Sequence, residues 1–230
     1  MQVYQIRIKL FLLDSVPVSK MHTKVATWID QGLAADAEML QFHEENSYKY
    51  YCFDLPYPIE EDGIYKKGNI YTLTIRTIKP KLAKYISEVC VNQFTAEIKG
   101  LIAEVRILHQ KMIDKIYTLT PAILKSDDGY WKTNMTIQDY ETRLKVNLIK
   151  KWNDCHETKL DEDFELFHTL EFCNRIPIVF EYKKIKLLGD KIILYIADNK
   201  TAQDLAYMAL GTGVMEMNSR GAGFVNYRWI

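Results

Sequence analysis

The chain has 230 residues, of which 48% are hydrophobic and 26% charged, ample for a buried core and ordinary for a soluble globular protein. Lysine plus arginine (30) balances aspartate plus glutamate (30), so the formal net charge is zero. That counts mildly against a nucleic-acid binder without deciding it, because local patches bind phosphate and the total does not. The length suits one large domain or two of roughly a hundred residues each. Cys52, Cys90, Cys155 and Cys173 are scattered with no CxxC pair, which argues against a zinc knuckle and for reduced thiols.

The first element is a strand over 3–13. Arg7 and Lys9 interrupt its apolar run, so it alternates as a half-buried strand does and is not a signal peptide. No stretch approaches the roughly 18 apolar residues of a membrane span. A cytoplasmic protein is expected. A helix over 19–31 follows, with Ser19 as its cap, Met21, Val25, Trp28 and Ile29 on one face, and Gly32 ending it. A short helical piece covers Ala34–His43. Tyr48–Phe53 is strand-like until Pro56 and Pro58, and Ile70–Ile78 alternates strictly. Pro80 opens a helix to about Val91, with Leu82, Ile86, Val89 and Cys90 together, and Ile102–Leu108 returns as a strand. Strand, helix, strand, strand, helix, strand is the ferredoxin-like order.

The second half repeats it. A strand over Ile116–Leu124 precedes a helix over Thr136–Asn153, whose buried stripe is Ile137, Tyr140, Leu144, Leu148 and Trp152. Strands follow at Phe164–Phe172, Ile178–Glu181, Lys184–Leu188 and Lys191–Ile196. Lys200–Leu210 is a helix and Gly223–Trp229 a last strand. The fold class is α+β, tandem ferredoxin-like (RRM-like), with one domain at 1–112 and a second at 113–230, the boundary falling near Gln110–Lys115. The duplication rests on element order, because no residue-level repeat is visible.

Between that last helix and last strand, Gly211-x-Gly213 and Gly221-x-Gly223 lie ten residues apart with Asn218, Ser219 and Arg220 between them. Glycine lets the backbone take positive φ and lets another chain come close, and successive exposed N–H groups can cradle phosphate. Asn218, Ser219 and Arg220 add donors, and arginine pairs with phosphate bidentately. The stretch follows a helix, so it is not a dinucleotide fingerprint, and it has no Gly-Lys-Ser/Thr of a Walker loop.

Leu210-Gly211-x-Gly213 through Gly221-x-Gly223-Phe224 resembles the C-terminal glycine-rich signature of the CRISPR-associated repeat-processing endoribonucleases of the RAMP superfamily. The tandem order matches that family over nearly the whole chain. The resemblance implies cleavage of precursor CRISPR RNA within each repeat, with no metal or other cofactor, leaving a 2′,3′-cyclic phosphate. It implies repeat RNA as partner and delivery of the product to an interference complex; a homodimer and a membrane-free location are compatible with it. Members carry an active-site histidine after the first helix and a lysine shortly beyond, and His43 and Lys49 have that spacing. A histidine titrates near neutrality and can take or give the proton, and a lysine can stabilise the phosphorane. The chain departs from one subgroup at Trp28, which stands where a tyrosine is expected; indole can only donate N–H or stack. Tyr48, Tyr50, Tyr51 or His22 are the candidates to complete the set.

On the long helix, Arg143, Lys145, Lys150 and Lys151 form a basic cluster that could track phosphates, with Arg143 and Lys150 as the chosen contacts. Two other readings stay open: a non-catalytic RNA-binding subunit of the same superfamily, and an unrelated ferredoxin-like protein holding a small phosphorylated ligand. In the endonuclease reading the glycine loop holds RNA while the cut belongs to the other half of the chain.

Overall fold

The computed structural model describes residues 1–182 and 185–230; Lys184, expected to open a strand, lies outside the described residues. The N-terminal half runs β1 (Val3–Leu12), β2 (Val16–Pro17), α1 (Val18–Leu33), α2 (Ala37–Glu44), β3 (Tyr51–Phe53), β4 (Ile64–Tyr65), β5 (Ile70–Thr77), α3 (Pro80–Val89) and β6 (Ile98–Leu108). The main sheet is antiparallel with order β3-β5-β1-β6, which is the ferredoxin-like order, and β2 pairs with β4 as a small ribbon. Ile6, Ile8 and Leu10 alternate along β1 into one core with Met21, Val25, Trp28 and Ile29 of α1 and Leu82 and Ile86 of α3. Ser19 lies inside the first turn of α1 instead of capping it; Pro17 takes the cap position without a side-chain bond.

The second half runs β7 (Ile113–Thr118), β8 (Ala122–Ile123), α4 (Ile137–His156), β9 (Phe167–Phe172), β10 (Ile178–Tyr182), β11 (Ile185–Asp190), β12 (Ile192–Ile196), α5 (Lys200–Thr212) and β13 (Val225–Trp229). Its main sheet, β13-β7-β12-β9, has the same topology as the first. The chain is thus a tandem ferredoxin-like α+β protein. The strand expected over Ile116–Leu124 is broken in two, because Pro121 has no N–H for the ladder, and its second piece pairs with β11. The hairpin β10–β11 is therefore an insertion that leaves the main sheet. On α4, Thr136 and Asp139 form a capping box, and Tyr140, Leu144 and Leu148 are buried, but Ile137 in the first turn is exposed.

The halves share an extensive contact. α5 packs on its own sheet and also on β1, β3 and β5 of the other half. Arg76 of β5 is 5% exposed and donates to the Val225 carbonyl (2.7 Å) and Asn226 Oδ1 (3.4 Å) across the junction, under the Phe224 ring. Gly211 belongs to this packing: a Cβ there would lie 2.7 Å from Ile78 Cγ2. It is a buried helix residue at the junction and not part of a phosphate grip, which corrects the reading of the first Gly-x-Gly.

Candidate active site

A cleft of about 390 Å³ opens where the halves meet. Its walls come from the segment after α2 (Lys49, Tyr51), from α4 (Asn147, Lys151) and from the loop after α5 (Ser219, Arg220). The two sites that the sequence kept apart, glycine loop and histidine segment, therefore meet at one place.

The loop is built around Lys151. This residue falls three positions after Leu148 on the buried stripe of α4 and is 3% exposed. Its ammonium donates to the carbonyls of Gly213 and Met215, both at 3.0 Å, and to Asn218 Oδ1 at 2.7 Å. Burial pushes this lysine down to about 7. The Asn218 amide donates in turn to the Val214 and Ala222 carbonyls. Gly213 N–H bonds to Ala209, Gly221 N–H to Asn218 and Gly223 N–H to Pro121. Gly223 has φ 63°, and a side chain there would fall on the Val214 carbonyl. These glycines and Asn218 are consumed in making the loop. The expected nest of free glycine amides is corrected accordingly: the loop lines the cleft with Met215, Glu216, Met217, Asn218, Ser219 and Arg220, positioned by that framework.

Arg220 is already engaged. Its Nη1 lies 2.5 Å from Asp30 Oδ2 on α1, and its guanidinium stands over the Tyr182 ring at 5.4 Å. Asp30 Oδ1 lies 3.5 Å from His43 Nδ1, where α2 ends. The sequence had no means of pairing Asp30 with a residue 190 positions away. The His43 side chain is 21% exposed and is not itself part of the cleft wall. Lys49 does line the wall. It donates to the Phe42 and Glu45 carbonyls at the C-terminus of α2, and burial, with Arg220 in support and Glu45 opposing, lowers its pKa. Two of its three N–H donors are used there, leaving one toward the cleft.

Tyr48, Tyr50 and Tyr51 all line the cleft, and Trp28 does not. Trp28 is fully buried, donates to the Gln93 carbonyl at 3.2 Å, and packs in the N-terminal core away from the cleft. Tyr50 bonds Asp154, so its hydroxyl is committed. Tyr51 lines the cleft with its hydroxyl near Ser219, Asp30 and Arg220, and burial raises its pKa, keeping it a neutral donor. His22 is not part of the cleft wall. It stacks on Phe180 at 4.2 Å, bonds the Glu181 carbonyl and is 8% exposed, fastening the inserted hairpin to α1; burial lowers its pKa.

The basic cluster on α4 splits. Arg143 and Lys150 are exposed and seven residues apart, hence on one stripe with Asn147 between them. Arg143 lines a second groove of about 740 Å³ under the inserted hairpin, which shares Lys125, Tyr182 and Met217 with the cleft. Arg143 also donates to the Lys125 carbonyl (3.2 Å), Lys145 donates to the Glu162 and Phe164 carbonyls, and Lys151 is interior.

No family model and no curated protein sequence matches the chain. Among solved structures it is similar to one described as CRISPR associated protein Cas6, at 19% identity and TM-score 0.74, over 98% of this chain and 99% of that one. It is similar to one described as an RAMP protein binding different RNA substrates, at 17% identity and TM-score 0.73, again over 98% and 99%. A Cas6-related protein from Pyrococcus furiosus aligns at 19% identity and TM-score 0.71 over 98% of both chains. Identities this low speak for architecture, and the alignment runs end to end: the chain has the tandem ferredoxin-like fold of the Cas6 and RAMP proteins.

Proposed function

We propose that the protein is a metal-independent endoribonuclease that cuts CRISPR repeat RNA within its precursor. The observation that carries this reading is the convergence of Arg220 and Lys49 on one cleft, with His43 joined to it through Asp30. In this reading His43 takes the proton of a ribose 2′-OH, and the 2′-oxygen forms a bond to the adjacent phosphorus. The bond from phosphorus to the 5′-oxygen breaks, that oxygen takes a proton from solvent water and His43 returns its own to solvent, leaving a 2′,3′-cyclic phosphate and a 5′-OH. Lys49 and Arg220 stabilise the charge that builds on the phosphorane, and Tyr51 donates a hydrogen bond. Fixed cations perform the task that a divalent ion would otherwise perform. Arg143 and Lys150 hold the backbone of the same RNA without reading its sequence. The product passes to subunits of an interference complex.

The test is cleavage of cognate repeat RNA in EDTA. The wild-type protein should cut, His43→Ala should bind RNA without cutting, and a 2′-deoxy nucleotide at the scissile position should block the reaction. Cutting by His43→Ala at the wild-type rate would sink the assignment. One observation favours a second reading, an RNA-binding subunit without activity: His43 stands outside the cleft wall. Retention of repeat RNA with no cleavage by the wild-type protein would select it.

A further inference from the structure

We propose that Asp30 is the positioning residue for His43, and that RNA switches it into that role by drawing Arg220 off the carboxylate. The inference rests on the endoribonuclease reading and adds to it a residue and an order of events.

The carboxylate is shared between two partners. Oδ2 holds Arg220 at 2.5 Å, while Oδ1 is buried and has no hydrogen-bond donor among the described residues. A buried carboxylate oxygen without a donor is rare in folded proteins and signals a missing partner. His43 Nδ1 stands 3.5 Å from it, too long for a good hydrogen bond and short enough to close with a small movement. Catalytic hydrogen bonds commonly tighten only once substrate is present. An imidazole whose Nδ1–H faces a carboxylate has its Nε2 lone pair free, which is what a base for the 2′-OH requires.

Arg220 is the group that changes partners. Its side chain is 18% exposed and lines the cleft, so a phosphate entering there meets its guanidinium. Arginine pairs with phosphate bidentately, and such an anion competes directly with Asp30. As the arginine turns to the phosphate, the carboxylate is left to His43. Besides Arg220, the ionisable groups in the cleft wall are Lys49, Lys125 and Lys151, the carboxylates Glu45 and Glu216, and the phenols of Tyr48, Tyr50, Tyr51 and Tyr182. RNA thus orients the histidine as it binds, and the loop acts on the chemistry through Asp30.

The test uses the full chain, repeat RNA, and the same RNA with a 2′-deoxy nucleotide at the scissile position. Asp30→Asn should bind RNA within about threefold of wild type while its single-turnover rate falls by about 10² or more, as for other carboxylates that orient a histidine. In wild type, nitrogen NMR of His43 should show the Nδ1–H tautomer in the deoxy-RNA complex, and Asp30→Asn should lose it. A merely structural role would change folding and affinity and leave the tautomer alone. If Asp30→Asn cuts at the wild-type rate while His43→Ala is inactive, this inference fails and the endoribonuclease reading stands. If His43→Ala also cuts normally, the reading itself fails. Should Asp30→Asn not fold, the wild-type spectrum decides: an Nε2–H tautomer in the complex overturns the proposal.

Discussion

Replacing Lys151 by methionine removes the ammonium from the centre of the loop and keeps most of the side chain's volume. The carbonyls of Gly213 and Met215 and the Asn218 amide oxygen then lose their shared donor in a site that is 3% exposed. A stranded buried acceptor costs about 1–3 kcal/mol, and relief from burying a charge returns part of that, so a net loss of about 2–4 kcal/mol is expected at neutral pH. The pH dependence has a definite sign. Burial lowers this lysine from its ordinary 10.5 to about 7, so between those values the folded protein binds fewer protons than the unfolded chain. Wild-type stability therefore climbs with pH through that window, by up to about 1.4 kcal/mol per unit, and the contribution is lost as pH falls through about 7. Lys151→Met has no such climb, so the gap between the two proteins widens on the alkaline side. Urea unfolding of both at about pH 6.5 and about pH 8.5 measures it. A gap that is absent, or that does not grow between the two, would refute the reasoning.

Trp28→Tyr supplies a hydroxyl at the helix position where the resemblance expects one. Because Trp28 is fully buried in the N-terminal core, the variant should lose about 1–3 kcal/mol in unfolding experiments and gain no cleavage rate; faster cleavage would contradict the placement. Arg143→Ala and Lys150→Ala should each weaken cognate and scrambled RNA by the same factor and reduce the salt slope of binding by about one. A loss confined to the cognate sequence would show that these residues read bases.

Much of the architecture was legible because it is periodic. Alternation marks β1 and β5, and Met21, Val25, Trp28 and Ile29 mark the buried face of α1, all local patterns that packing preserves. The hairpin β10–β11 was visible as strand-like segments, but nothing local says that it leaves the main sheet. His43 and Lys49 were found by resemblance and Arg220 by its place between glycines. Lys151 carried a readable signal that the charge pattern masked: it continues the Tyr140, Leu144, Leu148 stripe, so its charge points inward. Asp30 carried none, since its importance comes from partners on α2 and on the loop after α5.

The Asp30–Arg220 pair joins residues 190 positions apart, and this sets a clock on the protein's manufacture. A ribosome adds about 5–20 residues per second, so on the order of ten seconds or more separates the two side chains' synthesis. Throughout that interval the nascent half holds the histidine and lysine without the opposing wall. The cleft is therefore one of the last features of the molecule to form, complete only when the loop after α5 has docked Arg220 on Asp30.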